Sequence, residues 1–321
     1  MDPITRAMLR SWEWRPEILI PLIVAGVIYY RGWRRLRLKG RQSRGLATGW
    51  RLAAYWTALV LIALALLSPV DVLAGQLFFM HMIQHLILMM LSAPLLMLAN
   101  PLPFLLWGLP DRARRASGAA LSKLLHRHSA TRKTLRAVTS PGIVWLFFVF
   151  VLIGWHDPTL YNAALRNDLV HDIEHLSFFG AALLYSWHVV GAGPRIHKRL
   201  SPAGQILFVI AAIPPNMLTG IAIAFSDQVI YTYYLGVPRV WGIDALGDQM
   251  LGGVIMWVPG SMMYIIAVLI LAARWLQNEE QKPPLPESRW ATEERMAAPG
   301  MPGHETAVRA DGGRKTANSR R

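Results

Sequence analysis

The chain contains no cysteine. Disulfides, iron–sulfur clusters and thiolate metal sites are therefore excluded, and any metal must be held by His, Met, Asp, Glu or backbone groups. Charge is also scarce: 16% of the 321 residues are charged, against about 25% in a typical soluble domain. Carboxylates are scarcer than bases, with 19 Asp and Glu against 33 Lys and Arg. The resulting net charge of +14 does not read as a nucleic-acid surface. The bases fall in short loops between apolar blocks rather than along one soluble face. No lysine lies inside any apolar block, which disfavours a retinal Schiff base.

Hydrophobic residues make up 54% of the chain and gather in blocks at about 17–32, 50–70, 77–99, 141–156, 171–192, 203–226 and 250–276. A helix crosses the hydrocarbon with roughly 20 residues. The first and fourth blocks are short and need flanking residues to complete a crossing. Backbone groups in lipid must pair internally, and the runs lack the alternation of a barrel. The expected fold is therefore all-α, a polytopic membrane protein whose residues 1–276 form a bundle of about seven transmembrane helices, one per apolar block. The first run ends at Arg31 without a small-residue cleavage pattern, as a span rather than a signal peptide would. The 100–140 stretch could hold a short interfacial helix. Residues 277–321 are polar, with Pro283, Pro284, Pro286 and Gly312–Gly313, and are expected to form a disordered cytoplasmic tail.

Orientation follows from the bases. Arg31, Arg34, Arg35, Arg37, Lys39, Arg41 and Arg44 follow the first block. Arg112 to Arg136 follow the third, and Arg195, Lys198 and Arg199 the fifth. The alternate loops are poor in bases. The N-terminus is then outside and the C-terminus cytoplasmic.

Two histidine pairs share one spacing, His81 and His85 in FMHMIQH and His171 and His175 in HDIEH. Residues four apart lie on one helix face, so each pair can aim two imidazoles at one point. The orientation puts both pairs, and His156 of GWHDP, near the outer face. His188 lies 17 residues beyond His171, some 25 Å deeper at about 1.5 Å per residue. Ionisable groups at membrane depth are costly and tend to be kept for function. The five outer histidines read as a metal site favouring copper, zinc, iron or nickel. Asp157, Asp172 and Glu174 could orient the imidazoles from behind, and Met89 stands four residues after His85. Asp168 is placed to cap the fifth helix. Pro214–Pro215 and Pro259–Gly260 should bend the last two spans, as kinks satisfied by neighbours or as the walls of a path.

HMIQHLILMMLSAPLLMLANPLPFLLWGLP and WHDPTLYNAALRNDLVHDIEHLSFFGAALLYSW resemble the two signatures of the CtaG-type polytopic cytochrome c oxidase assembly factors, over approximately residues 17–276. The resemblance implies a non-enzymatic, multi-pass protein of the bacterial plasma membrane. It would mature a haem–copper oxidase by supplying copper to one of its subunits. It carries over the histidines to His81, His85, His156, His171 and His175. The partners it implies are oxidase subunits and membrane lipid, with no nucleic acid. Two other functions compete: a redox protein holding haem between paired histidines, which a Soret band would reveal, and a copper transporter, which flux into proteoliposomes would reveal.

Overall fold

The structure is a computed structural model that describes residues 10–40, 44–126, 128–194 and 196–281. Among the described residues there is no strand. The helices are α1 (Pro16–Leu38), α2 (Gly49–Leu67), α3 (Pro69–Ala74), α4 (Phe78–Ala99), α5 (Pro101–Gly108), α6 (Asp111–Leu124), α7 (Ala130–Val138), α8 (Pro141–Trp155), α9 (Pro158–Arg166), α10 (Asp168–Val190), α11 (Pro202–Ile210), α12 (Ile213–Ala224) and α13 (Ala245–Glu280). The interfacial stretch is thus three helices, α5 to α7. Proline opens α1, α3, α5, α8, α9 and α11. Its fixed φ suits the first helical position, and its missing N–H has no partner to lose there.

Each apolar block falls on a helix. Four segments are long and apolar enough to cross a membrane: Gly49–Leu67, Phe78–Ala99, Pro202–Ala224 and Ala245–Glu280. A fifth arises if α7 and α8, bent by 53°, act as one. The helices α1 and α10 are 23 residues each but less uniformly apolar. Arg31, Arg34, Arg35 and Arg37 occupy the second half of α1, and Asp168, Asp172 and Glu174 the start of α10.

Side chains at the helix starts tie four helices to one end of the bundle. Arg15, just before α1, donates to Asp172 of α10 at 3.0 and 3.2 Å. Asp248 of α13 accepts from the N–H groups of Phe78 and Phe79 at 2.9 and 3.0 Å, so it caps α4. The helices α4 and α10 meet through their first turns. Hence α1, α4, α10 and α13 all start at the same end.

The cap of α10 is Asn167, whose side chain accepts from Val170 N–H at 3.2 Å, rather than Asp168, which is the first helical residue. The same helix stops at Gly191, in a left-handed conformation (φ 67°) that L side chains avoid. Pro214 and Pro215 lie in the first turn of α12, so the span breaks just before them. Pro259 is inside α13, and Asn216 of α12 donates to the carbonyl of Met256, one turn earlier, at 3.0 Å. The neighbouring helix thus braces α13 beside its proline, while the carbonyl that Pro259 itself leaves without a donor is that of Ile255.

A large aromatic core lies among α4, α8, α9, α10 and α13, with Phe78, Phe148, Tyr161, Phe178, Tyr231 and Tyr234 buried. A second core joins α1, α2, α4 and α5 around Tyr29, Tyr55 and Phe104. The chain divides into two compact units, Met1–Ala272 and Ala273–Arg321. In the second, the described residues are the last turns of α13, which run past residue 276 to Glu280. The tail assigned from residue 277 otherwise lies outside the described residues from 282 onward.

Candidate metal centre

The placement of α4 sets the position of the first histidine pair. Asp248 is fully buried and pairs with Arg239 at 3.3 Å while it caps the helix. Gly252 of α13 faces the ring of Phe78 so closely that a Cβ there would lie 2.2 Å from it. Only a residue without a side chain lets α13 seat the start of α4 this deep. After His85 the helix winds as a π-helix over Ile87–Ser92. Ser92 Oγ donates back to the carbonyl of Ile87 at 2.9 Å.

The second pair comes from α10. His81 and His85 stack with ring centroids 4.5 Å apart, and His171 and His175 stand 4.3 Å apart. Across the interface His81 is 5.4 Å from His171 and 5.8 Å from His175, and His85 is 5.1 Å from His175. His81, His85 and His175 are buried, and so is Glu174, whereas His171 is half-buried. Two donor sets result, His81–His85–His175 and His81–His171–Glu174, each with its ligand atoms within 4.8 Å of one another. An ion with metal–nitrogen bonds of about 2.0 Å holds its nitrogens roughly 3.3–4.1 Å apart, so a small contraction of either set suffices.

The donors are conspicuously without protein partners. The Nε2 atoms of His81, His85, His156, His171 and His175 are buried with no hydrogen bond, as are His85 Nδ1 and Glu174 Oε2. Buried polar atoms are ordinarily paired, and leaving one orphaned costs about 1–3 kcal/mol. Glu174 Oε1 is 3.5 Å from His85 Nε2 and 3.9 Å from His81 Nε2, too long for strong hydrogen bonds. A cation between these groups would satisfy them together, so the residues fit a metal ion.

One imidazole is oriented from behind by a chain that the sequence did not disclose. Tyr234 Oη donates to the carbonyl of Ala74 at 3.1 Å. Tyr161 Oη lies 3.0 Å from Tyr234 Oη and 2.8 Å from His81 Nδ1. Burial pushes both phenols well above their ordinary range, so both remain protonated donors. With the Tyr234 proton committed to Ala74, its oxygen accepts from Tyr161, and Tyr161 in turn accepts from His81 Nδ1–H. The reverse direction would strand a buried Nε2–H with no acceptor closer than Glu174 at 3.9 Å. The chain therefore leaves the Nε2 lone pair of His81 free for a ligand role.

His156 joins neither donor set. Its Nδ1 is bound to the carbonyl of Leu152 at 2.6 Å, and its ring borders a cavity of about 30 Å³ shared with His85, Met82, Met89, Met90 and Met256. Met89 thus reaches the cluster's deep side. Of the carboxylates singled out in the sequence, only Glu174 enters a donor set. Asp157 caps α9 through the N–H groups of Thr159 and Leu160 at 2.9 and 3.2 Å, and Asp172 is paired with Arg15. His188 sits at the opposite end of α10, its Nε2 on the carbonyl of Thr139.

Comparison with known proteins adds a family. The cytochrome c oxidase caa3 assembly factor family (Caa3_CtaG) matches residues 27–278. An uncharacterized protein of Mycobacterium bovis is 26% identical over 283 residues, covering 87% of this chain and 41% of that protein. One of Mycobacterium leprae is 27% identical over 277 residues, covering 84% and 40%. The chain thus spans about two fifths of the length of the curated relatives it matches. No solved structure gives a significant match.

Proposed function

The chain belongs to the cytochrome c oxidase caa3 assembly factor family, and on that footing we propose that it is a non-enzymatic, multi-pass protein of the bacterial plasma membrane that binds copper and passes it to a haem–copper oxidase subunit. The observation that carries this reading is the set of buried, unpartnered imidazole nitrogens from two helices. Copper is here the cargo. The all-histidine set accommodates copper, and four methionines line the cavity next to it; imidazole suits copper among other transition metals, and the soft thioether favours Cu(I).

Delivery requires release as well as capture. The two donor sets share His81, so an ion can exchange His85 and His175 for His171 and Glu174 without leaving the protein. His171 is the half-buried member and forms the mouth of the site. The bundle end that holds the cluster is taken as the outer one, from the distribution of bases.

Haem is disfavoured by packing. Rings from the two helices meet edge to face while His81 and His85 stack on each other, and the cavity beside them, about 30 Å³, is on the scale of one water molecule.

The test is a Cu(I) titration of the purified protein in detergent against a colorimetric chelator. About one copper per chain is expected, because the two sets share a ligand. Changing His81→Ala and His85→Ala together should abolish binding while the protein still inserts and purifies. Full copper occupancy in that double variant would overturn the proposal.

A further inference from the structure

At the end of the bundle opposite the histidine cluster lies a second polar pocket, of about 370 Å³. That is within the usual range of small-ligand sites, roughly 300–1,000 Å³. Trp187, His188, His197, Lys198 and Arg199 line it. Its floor is built at the bend between α7 and α8. The carbonyl of Thr139 accepts from His188 Nε2–H at 2.9 Å, and Thr139 Oγ1 accepts from His197 Nε2–H at 2.8 Å while donating its own proton to Leu135. The two imidazoles are 5.4 Å apart, and Trp187 packs at 5.4 Å from one and 5.9 Å from the other.

The charge in this pocket is of one sign. Among the described residues no carboxylate pairs with Lys198, Arg199 or the nearby Arg136. Burial, His188 and Arg136 together push the His197 imidazole below its ordinary value. Cationic groups held together around a cavity repel one another unless an anion enters. The position narrows the anion: the pocket lies at the bend of α7 and α8, a pair apolar enough to act as one membrane span, beside an indole of the kind that sits at headgroup level. Basic pockets between helices at that level hold lipid phosphates.

We propose that this pocket binds the phosphate group of an anionic phospholipid. The headgroup phosphate meets Lys198 and Arg199 at the rim, with His188 and His197 beneath, and the acyl chains stay in the bilayer. The proposal is independent of copper binding at the other end.

The experiment uses the full chain in a neutral detergent, with binding of short-chain phosphatidylglycerol, short-chain phosphatidylcholine and inorganic phosphate followed by native mass spectrometry. Phosphatidylglycerol should bind, and phosphatidylcholine and inorganic phosphate should bind far more weakly. Changing the exposed Lys198→Gln and Arg199→Gln together should weaken phosphatidylglycerol binding by about thirtyfold, the effect of two juxtamembrane cations. The matched removal of two exposed bases elsewhere, Arg112→Gln with Arg115→Gln on α6, should leave it unchanged. Equal lipid retention in the Lys198/Arg199 variant, or an equal loss in the Arg112/Arg115 variant, would overturn the assignment. Inorganic phosphate binding as tightly as the lipid would overturn its lipid source.

Discussion

Tyr161→Phe tests the hydrogen-bond chain that orients His81. The change removes one oxygen from a fully enclosed position and leaves the aromatic packing with Phe78 and Tyr231 in place. Two partners lose their contact at once: His81 Nδ1 at 2.8 Å and Tyr234 Oη at 3.0 Å. A stranded buried N–H costs about 1–3 kcal/mol, so the variant should unfold at lower temperature. The larger effect should be on metal. Losing the group that holds a ligating imidazole from behind typically weakens metal binding about 10–100-fold. Cu(I) affinity should fall in that range in a chelator competition, with stoichiometry preserved at saturating copper. Tyr231→Phe is the control. Its hydroxyl donates to the carbonyl of His156 at 3.1 Å and belongs to the same aromatic cluster, but makes no contact with His81. It should lose stability without losing copper affinity. If Tyr161→Phe binds Cu(I) as tightly as the native protein, or Tyr231→Phe loses as much, the chain does not set the tautomer.

Two further perturbations address the scaffold. Asp248→Ala leaves Arg239 without its carboxylate and two N–H groups of α4 without an acceptor; a stranded N–H costs about 1–3 kcal/mol, and an unchanged melting temperature in detergent would refute its role as the cap that seats α4. Asp71 lies in α3, where burial raises its carboxyl to about 6 against the opposing hydrogen bond from Gln84. The folded state therefore holds this proton more tightly than the unfolded chain, so its stabilising contribution is complete below about pH 4 and is lost as pH rises through about 6. Asp71→Asn should flatten the stability profile between those values, by an amount on the order of 2–3 kcal/mol; a profile unchanged by the substitution would show that Asp71 does not titrate in that window.

The histidine pairs were legible because one helical period governs them. Spacing by four fixes a shared face whatever the helix packs against, and that is enough to bring His81 with His85 and His171 with His175. The apolar blocks were legible for a similar reason, since lipid enforces internal backbone pairing along every crossing segment. Contacts between segments distant in the chain were not. Tyr161 and Tyr234 are 73 residues apart, and Tyr161 is 80 from His81; no local periodicity links them. Asp248 carries no local signal of a capping role, which is set by Phe78, 170 residues away. Asp157 is engaged locally by the first turn of α9, and Asp172 by Arg15, 157 residues away. The π-helical turn after His85 carries no obvious composition signal, and it changes the register by which Met89 and Met90 both reach the cavity.

Burial of the cluster bears on how such a site could let go of its cargo. His81 has no exposed surface, and His85 and His175 are buried with it, so under the proposed copper role direct release from that set would require the bundle to open. The two donor sets differ in charge rather than in depth alone: one is three neutral imidazoles, the other includes a carboxylate. A hard oxygen donor is a poorer partner for Cu(I) than an imidazole. Under the proposed copper role, movement of the ion from His85 and His175 toward His171 and Glu174 would trade a softer site for a harder one that includes the half-buried His171. On that proposal the ion would be held less tightly beside the half-buried His171, which the order HDIEH places one turn before His175.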